Sequence, residues 1–572
     1  MSGEITYTVL SPWGEVDDKM TTPLNPRLDD LNGKTIGMLA HFKGHSPYIL
    51  REVEKEILKK YPEAKFLHLQ YPKDTSEIEY DEEFLPIFKE WLSKVDGVIA
   101  AYGDAGSCAM YHAINTAFVE RCGKPAVMLQ KADILSSGRS GAKARHVPNL
   151  RLVLSKLMDQ SFAPVLDDAW LENVVRPQII PCVDEIIDGL IRPLTEEEAT
   201  AKPVKANEYA KETFTGTLQE IQQFIYHRGY TNGEAFVPPT AEAVEEMLTG
   251  TDLPRDTVVA KLPPMNGNVT VEKIAICAVM AGCNPTYMPI LIATVKAMAD
   301  PVIHLVGWTC SVAGFAPVIM VNGPIRNQIG MNCGNNILSP YFKANNVIPK
   351  AIAYIIANIS GVRPTIEDNA YTGHEMRFGV CFGEDEENSP WEPYHVEAGL
   401  SKEDSAVTIT WAHHRSFIIG GKEPKQCLHM MLTPDDPGAF DPGCTYVISP
   451  EWARMLKKLG MNSRAMVQEY IGEYARKPAG EASTRWMTDN NHKPKYVPLP
   501  ECDGSVYVRK FYDKNHLNVF VAGSNAAPRG CFYAGGGDHG GPCTVKAELP
   551  KNWDALVAKY AKDAEKPEFI EY

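Results

Sequence analysis

The sequence lacks any long hydrophobic run. None of its 572 residues lie in a stretch of about 18 consecutive apolar residues, the length that a membrane-spanning helix needs. The first residues, MSGEITYTVLSPWGEV, also lack the charged and then apolar segments of a secretory signal. We therefore expect a cytoplasmic protein with no membrane partner.

Positive charge is also in short supply. The chain has 57 Lys and Arg against 72 Asp and Glu, a net charge of −15, and its basic residues form no block. Because nucleic acids and anionic lipids are bound through clustered positive charge, we expect neither as a partner. The apolar fraction of 44% is ordinary for a globular protein and excludes a disordered or collagen-like chain.

Cysteine is scarce, and no two cysteines form a C-x-x-C pair. Thirteen cysteines in 572 residues are too few for a disulfide scaffold, and zinc-site spacings are missing, so we expect no structural metal and free thiols in a reducing compartment. Walker A, HExxH and GxSxG motifs are absent as well, which removes support for P-loop, zinc-protease and serine-hydrolase chemistry. The remaining question is which cysteines are reactive.

The first 165 residues alternate between short apolar strands and amphipathic helices. We predict strands over residues 34–40, 64–70, 95–102 and 125–130, with helices between them. This alternation is typical of a parallel sheet covered on both faces. The sequence therefore predicts an α/β fold whose N-terminal domain, residues 1–165, is a doubly wound, flavodoxin-like parallel sheet.

Three further segments follow. Residues 166–215 are predicted to be a connector, because they end in a polar, charged stretch. Residues 216–400 open on a capping box at Thr217 and Glu220 and contain two apolar helices and Asn/Gly-rich loops, so we predict a helix-rich module. Residues 401–572 return to strands and are predicted to be a C-terminal α/β lobe, which makes the larger part of the chain a mixed α/β module.

The sharpest motif is the turn GDAGSC at residues 103–108. It follows a buried strand and opens a helix, the place where open α/β sheets bind ligands. The helix N-terminus should lower the pKa of the Cys108 thiol, which makes Cys108 a candidate catalytic residue. Backbone N–H groups at Gly103, Asp104, Gly106 and Ser107 are candidates for substrate binding. The alternatives are a tightly packed turn or a simple anion site.

Weaker candidates lie in the second module. Cys283 precedes a predicted helix, so its pKa should also be low, unless it is a buried packing residue. The loops VNGPI and MNCGNN offer further candidates for substrate contact, namely Asn322, Asn332 and Asn335. In GEDEENSPWEPYHVE, which begins with an acidic run, Glu392 and His395 are candidates for proton transfer, and the alternative is a solvated acidic loop with a surface histidine.

The segment GVIAAYGDAGSCAMYHAINTAFVERCGKPAVML resembles the UGSC family of selenoproteins and their cysteine forms. Residues 215–397 also resemble a module found together with that family. The resemblance implies an α/β architecture and sulfur or selenium chemistry at the turn. Ala105 stands where the family has selenocysteine or cysteine, so either this chalcogen was replaced by engineering or a natural member has lost the two-electron chemistry.

Three functions follow from these patterns. The first is a selenocysteine- or cysteine-dependent reductase or lyase that cleaves a carbon–heteroatom bond in a small-molecule substrate held between the two modules. Cys283 would resolve the adduct or bind the substrate, Glu392 or His395 would transfer protons, and a thiol reductant or electron donor would be the partner. The second is a non-redox protein that binds or senses a small anion. The third is a metal-dependent lyase using Cys283, Cys333 and His395. Apart from selenocysteine at position 105 we predict no cofactor, and we expect a homo-oligomer.

Overall fold

The structure is a computed structural model. It describes residues 5–17, 20–73, 76–160, 166–204, 206–374, 376, 378–434, 444–478, 499–500, 506–509, 517–535 and 541–565. Two parts can be distinguished, an N-terminal domain and a larger second module.

The N-terminal domain is built on a five-stranded parallel sheet. Its strands lie side by side in the order Lys65–Gln70, Thr35–Ala40, Gly97–Gly103, Ala126–Lys131 and Arg151–Ser155. This is the strand order of flavodoxin-like sheets, so the predicted fold is confirmed. The last strand is not among those predicted, because RLVLS is short and begins with a charged residue.

Helices cover both faces of this sheet. One face packs against the helices Ser46–Lys60 and Val183–Ile191, and the other packs against Leu85–Ser93 and Gly106–Arg121. The remaining helical segments of this part are Leu135–Ala144, Asp168–Trp170, Leu171–Val175, Arg176–Ile179 and Glu196–Ala199. The helix Gly106–Arg121 is buried along nearly its whole length, because it lies between the sheet and the second module.

The segment predicted as a connector contributes to the N-terminal core. Ile179, Ile186 and Leu190 are fully buried against the sheet. Arg151 anchors the same segment, since its guanidinium donates to the backbone carbonyls of Gly189 and Arg192 and to the Glu198 carboxylate. Residues 168–198 therefore pack as part of the N-terminal domain.

The second module has a large apolar core. The strand Thr6–Leu10 pairs with Thr213–Thr217 and so belongs to this part of the molecule. The hairpin Val258–Leu262 and Gly267–Thr270 and three long helices, Val271–Ala281, Met288–Met298 and Lys343–Ile355, surround the core. Its other helices are Ala206–Ala210, Leu218–His227, Ala241–Leu248, Leu305–Thr309, Ile325–Gln328, Tyr394–Glu397, Pro424–Met430, Pro450–Lys458, Arg464–Tyr474 and Trp553–Lys559.

Two four-stranded sheets complete the second module. Sheet A has the order Val380–Gly383, Ala316–Asn322, Ala406–Ala412, Cys543–Lys546, and sheet B has the order His414–Ile419, Arg529–Ala534, Cys444–Ile448, Leu517–Val521. A small third sheet contains Arg476–Pro478, Val506–Arg509 and Leu499–Pro500. Alternate residues of sheet A face the helices and sheet B, as the period of two requires. Sheet A joins strands from both sides of residue 400.

The helices were compared in length and apolar character with those that cross membranes. Within the described ranges, no single helix combines the length and apolar character needed to cross a membrane. One bent pair, Pro285–Met298 with Pro301–Thr309, meets the criterion by length and composition, and its residues are mostly buried in the core.

Candidate functional site

Two helix N-termini meet at the carboxyl edge of the N-terminal sheet. The strand Thr35–Ala40 leads through His41 and Lys43 to a helix whose N-cap is His45. Its neighbour, Gly97–Gly103, leads through Asp104 to a helix whose N-cap is Ala105. The connections from these two adjacent strands run to opposite faces of the sheet, which is where doubly wound folds bind their ligands. The predicted strand–turn–helix arrangement of GDAGSC is confirmed.

A buried ion-pair network lies at this point. The Asp104 side chain is fully buried and accepts a hydrogen bond from Lys43 Nζ at 2.5 Å, while His45 Nε2 lies 2.9 Å from its other oxygen. Lys43 and His45 are themselves less than 5% exposed. Asp159 is the second carboxylate near Lys43, at 3.4 Å.

The network keeps Asp104 ionised. Burial by itself raises the pKa of a carboxyl group, but Lys43 and His45 outweigh burial and hold the pKa of Asp104 well below its usual range. Buried ion pairs contribute little to stability compared with apolar residues of the same shape. A buried carboxylate held between a lysine and a histidine at a ligand-binding edge therefore calls for a functional explanation.

A loop closes over the network. The Gln160 backbone N–H points at Asp104 Oδ2, at 3.4 Å, and the Gln160 side chain accepts a hydrogen bond from Trp170 Nε1 at 2.8 Å. At the start of the same loop, the Leu157 carbonyl accepts a hydrogen bond from the Tyr102 hydroxyl at 2.6 Å. These contacts hold the loop against the turn, so the charged groups are shielded from bulk water.

Cys108 and His112 lie one turn apart on the helix that follows Asp104. Cys108 is the third residue of that helix and only 2% exposed, and Ala105 supplies no capping side chain to the first turn. Burial lowers the pKa of His112 to about 3, so the imidazole is neutral at pH 7. Its Nε2 makes no hydrogen bond within the part of the chain that the structure describes. The His112 ring lies 5.3 Å from that of His41, centroid to centroid.

The depressed pKa of His112 predicts a pH-dependent loss of stability. A histidine that titrates near 6.5 when unfolded and near 3 when folded stabilises the protein fully above pH 6.5 and loses that contribution as pH falls towards 3. The slope is about 1.4 kcal/mol per pH unit. We expect His112→Gln to reduce the loss between pH 6.5 and 4.5 by about 2–3 kcal/mol. The loss is measured at each pH from the urea concentration at which the amides of the strand Gly97–Gly103 lose their protection from hydrogen exchange.

The exposed His68 is a matched control for this experiment. His68 pairs with Glu54 at the protein surface, so comparing His68→Gln with His112→Gln separates the effect of a buried histidine from that of losing an exposed one. Equal pH slopes for His112→Gln and the wild type would contradict the assignment.

The second module covers the turn. A Cβ atom on Gly106 would lie 2.3 Å from the Cys310 carbonyl oxygen, so only glycine allows this approach. At the end of the neighbouring strand, Lys131 Nζ donates to the Tyr371 hydroxyl at 3.1 Å, and Ser137 accepts from Asn369 at 2.7 Å. The candidate site is therefore enclosed by both parts of the chain. Cys310, Lys131 and Tyr371 were missed, and no local motif marks them.

The prediction of a low pKa for Cys283 is wrong. Cys283 is buried in the core of the second module and its thiol donates to the Val347 carbonyl at 3.5 Å. Burial raises the pKa of this thiol. Gly282 ends one helix and Asn284 is the N-cap of the next, so Cys283 lies one residue before the N-cap. At that position the effect of burial on the thiol outweighs the effect of the helix N-terminus. Cys310, and not Cys283, contacts the turn.

The predicted asparagines lie at the far end of sheet A. The turn touches Cys310, just before the strand Ala316–Asn322, whereas Asn322 is that strand's last residue, about 20 Å further on at 3.3 Å per residue. Asn332 holds its own loop by donating to the Asn335 carbonyl at 2.7 Å. The structure thus does not bring these asparagines together with residues 103–108, and their role in substrate contact stays a prediction.

Asn322 and His395 belong to a second charged cluster. Asn322 Nδ2 donates to Glu384 at 2.6 Å and to Glu386 at 2.8 Å, and His395 Nδ1 lies 3.9 Å from Glu386. Arg464 pairs with the fully buried Glu384. His395 is fully buried, so the alternative of a surface histidine is wrong, and its neighbouring carboxylate is Glu386.

The acidic run at residues 383–388 and the nearby Glu392 differ in exposure. The Glu392 side chain is exposed, and its backbone carbonyl accepts a hydrogen bond from Arg464. The run GEDEEN suggests a solvated loop, yet Glu384 and Asp385 are buried. Two arginines of this cluster were missed: Arg464, and Arg326, which lies 3.1 Å from both Glu386 and Glu387. Both are distant in sequence from the acidic run and lie in no recognisable motif.

The cysteines and the other possible metal ligands complete the description of the candidate site residues. None of the twelve cysteines within the described ranges lies in a disulfide. Within the same ranges, no group of three or more His, Cys, Asp or Glu side chains is arranged to hold a metal ion.

Comparison with known proteins gives one match. Residues 8–160 match the UGSC family. No curated protein and no solved structure matches the chain. The match does not include residues 215–397, so the resemblance of that segment to a module found with the family stays a prediction. The matched segment contains the GDAGSC turn, Lys43, His45 and the closing loop, and over residues 8–160 the predicted resemblance to the UGSC family is confirmed.

Proposed function

We propose that the carboxyl edge of the N-terminal sheet is the active site of a small-molecule enzyme that uses sulfur chemistry at the 103–108 turn. One observation carries the proposal: Asp104 is buried as a carboxylate between Lys43 and His45, at the switch point of the sheet and directly before the first turn of the Cys108 helix. Charged groups are placed in such surroundings mainly where they take part in chemistry.

The proposed reaction is displacement at carbon. The Cys108 thiolate, stabilised by the helix N-terminus, attacks a substrate carbon, so a carbon–sulfur bond forms while a carbon–heteroatom bond breaks. The heteroatom leaves with the bonding electron pair and takes a proton from His45. Asp104 holds His45 in place for that step. In the reductive form, an external low-molecular-weight thiol attacks the Cys108 sulfur. The carbon–sulfur bond breaks, the carbon takes the proton of that thiol, and a mixed disulfide forms. A second such thiol then reduces the mixed disulfide and releases the Cys108 thiol.

The pH dependence of alkylation tests this proposal. Mass spectrometry after iodoacetamide treatment of the intact protein follows Cys108 and, as a matched reference, Cys122 at the other end of the same helix. Cys122 is exposed, partial desolvation raises the pKa of its thiol, and the helix C-terminus disfavours its thiolate. We expect the pH midpoint for Cys108 to lie at least one unit below that of Cys122. A Cys108 midpoint at or above that of Cys122, or no labelling of Cys108, overturns the proposal.

Position 105 offers a second readout. Ala105→Cys creates a C-x-x-C pair with Cys108 in the first helical turn, the arrangement of dithiol redox sites. We expect this variant to form a 105–108 disulfide in a glutathione buffer. The matched control Ala109→Cys, one position beyond Cys108, should form none. In Ala105→Cys the second thiol lies three residues before Cys108 at the proposed reacting position, and in Ala109→Cys it lies directly after Cys108.

Anion binding without turnover is the second candidate function. Ala105 supplies no capping side chain to the first turn, which favours this function, since N–H groups at a helix N-terminus attract anions. The negative charge of Asp104 beside the same turn opposes it. A thermal-shift screen with small carboxylates and phosphate separates the two: a ligand that stabilises the wild type and Ala105→Cys equally and is recovered unchanged supports binding alone.

A further inference from the structure

A separate cavity lies inside the second module. It has a volume of about 230 Å³ and lies where the strand Ala316–Asn322 begins and the helix Lys343–Ile355 ends. At roughly 30 Å³ per water molecule, this is room for about seven or eight waters or for a small organic molecule. The cavity is therefore large enough for a ligand of metabolite size.

Aromatic rings dominate the walls. Five aromatic side chains line the cavity: Tyr230, Phe315, Tyr354, Phe378 and Trp411. Tyr230, Tyr354 and Trp411 are at most 3% exposed, whereas Phe315 and Phe378 are half-buried. The first three form the inner wall and the two phenylalanines lie towards solvent.

One carboxyl group lies among these rings. Asp368 lines the cavity, and burial raises the pKa of its side chain. Its one hydrogen bond within the described ranges comes from the Ala370 backbone N–H at 3.0 Å, and no ion pair to it occurs there. The nearby cations are already engaged: Arg363 binds Glu367 at 2.7 Å, and Lys350 lies 3.6 Å from Glu234.

A buried donor provides a second, independent observation. Trp411 lines the cavity and is 1% exposed, and its Nε1–H has no hydrogen-bond acceptor among the described residues. Buried polar groups are nearly always satisfied, so an unpaired donor on a residue of the cavity wall fits a ligand that supplies an acceptor.

From these observations we propose that the cavity binds a small organic cation that also carries a hydrogen-bond acceptor. Aromatic faces attract ammonium groups, and most strongly when the groups are desolvated. The cation would lie against the rings and opposite Asp368, and the acceptor would meet the Trp411 indole. Choline and glycine betaine have this combination of groups and fit the volume.

The site is distinct from the turn at residues 103–108. Val362 and Ile356 line the cavity on one side and contact the apolar face of the helix Gly106–Arg121 on the other. They form a wall between the two places. Cation binding therefore does not rest on the proposed function, and Cys108→Ser should bind the cation as the wild type does.

Calorimetric titration of the full chain tests the inference. The probes are choline, glycine betaine and tetramethylammonium, with the neutral choline isostere 3,3-dimethyl-1-butanol as the reference. We expect saturable binding of at least one cation and binding of the isostere at least about tenfold weaker. No saturable cation binding up to tens of millimolar, or equal affinity for the isostere, overturns the proposal.

Matched variants locate the binding site. Asp368→Asn should weaken cation binding about tenfold or more, because the opposing charge is lost while the shape is kept. Glu234→Gln removes a nearby carboxylate that does not line the cavity and should change affinity less than twofold. Trp411→Phe keeps a ring but removes the N–H, so it should weaken glycine betaine more than tetramethylammonium. Equal effects of Asp368→Asn and Glu234→Gln would overturn the assignment.

Discussion

Replacing Asp104 by asparagine is expected to lower the free energy of unfolding of the N-terminal domain by about 3–5 kcal/mol. The substitution keeps the shape but removes the buried carboxylate charge that lies 2.5 Å from the Lys43 ammonium, which is about 4% exposed. Removing one partner of a buried ion pair has this effect because the remaining buried charge loses its closest counter-charge. The urea midpoint of the strand Gly97–Gly103, followed by hydrogen exchange, measures the change.

The double variant with Lys43→Met distinguishes a buried pair from a poorly packed site. Lys43→Met alone should also destabilise, but the combination of both substitutions should cost at least about 2 kcal/mol less than the sum of the two, because no isolated charge remains. Strictly additive effects would show that the two side chains are not coupled.

The turn itself could be predicted from sequence because all of its signals are local. A buried strand, two glycines and a helix start lie within a dozen residues, and the strand period and helix start predict their geometry. Lys43 and His45 could not be found in this way. They lie 61 and 59 residues before Asp104, and only the parallel pairing of Thr35–Ala40 with Gly97–Gly103 brings them to it.

For Cys283 and the acidic run, by contrast, the local sequence pattern led to a wrong prediction. A helix start at Cys283 is a local signal, but the pKa of its thiol depends on how deeply the second module buries it, and burial depends on the whole fold. The run GEDEEN is similarly ambiguous. Glu384 is buried because Arg464, 80 residues later, lies beside it. Composition favours a solvated loop, and tertiary packing decides otherwise.

Arg464 and Glu384 are the basis of the second prediction with a large expected effect. Arg464 is the first residue of the helix Arg464–Tyr474 and is 1% exposed. Its Nε donates to the Val519 carbonyl at 2.9 Å, and its guanidinium also binds Glu397 at 2.8 Å and the fully buried Glu384. It therefore joins sheet B to the segment that contains His395.

We expect Arg464→Met to lower the free energy of unfolding of the second module by about 3–5 kcal/mol, since methionine fills similar space but leaves the Glu384 carboxylate without its cation. The urea midpoint of the strand Leu517–Val521, read by hydrogen exchange, measures the change. Arg464→Lys keeps the charge and loses the forked geometry, so its effect should be intermediate.

Adding Glu384→Gln to Arg464→Met tests the cause. If the isolated carboxylate is responsible, the double variant should be more stable than Arg464→Met alone, although a hydrogen bond to the Asn322 amide becomes weaker. If lost packing were responsible, the second substitution would destabilise further. Since the N-terminal sheet makes no part of this cluster, the midpoint of the strand Gly97–Gly103 should stay unchanged in all three variants, whichever cause holds.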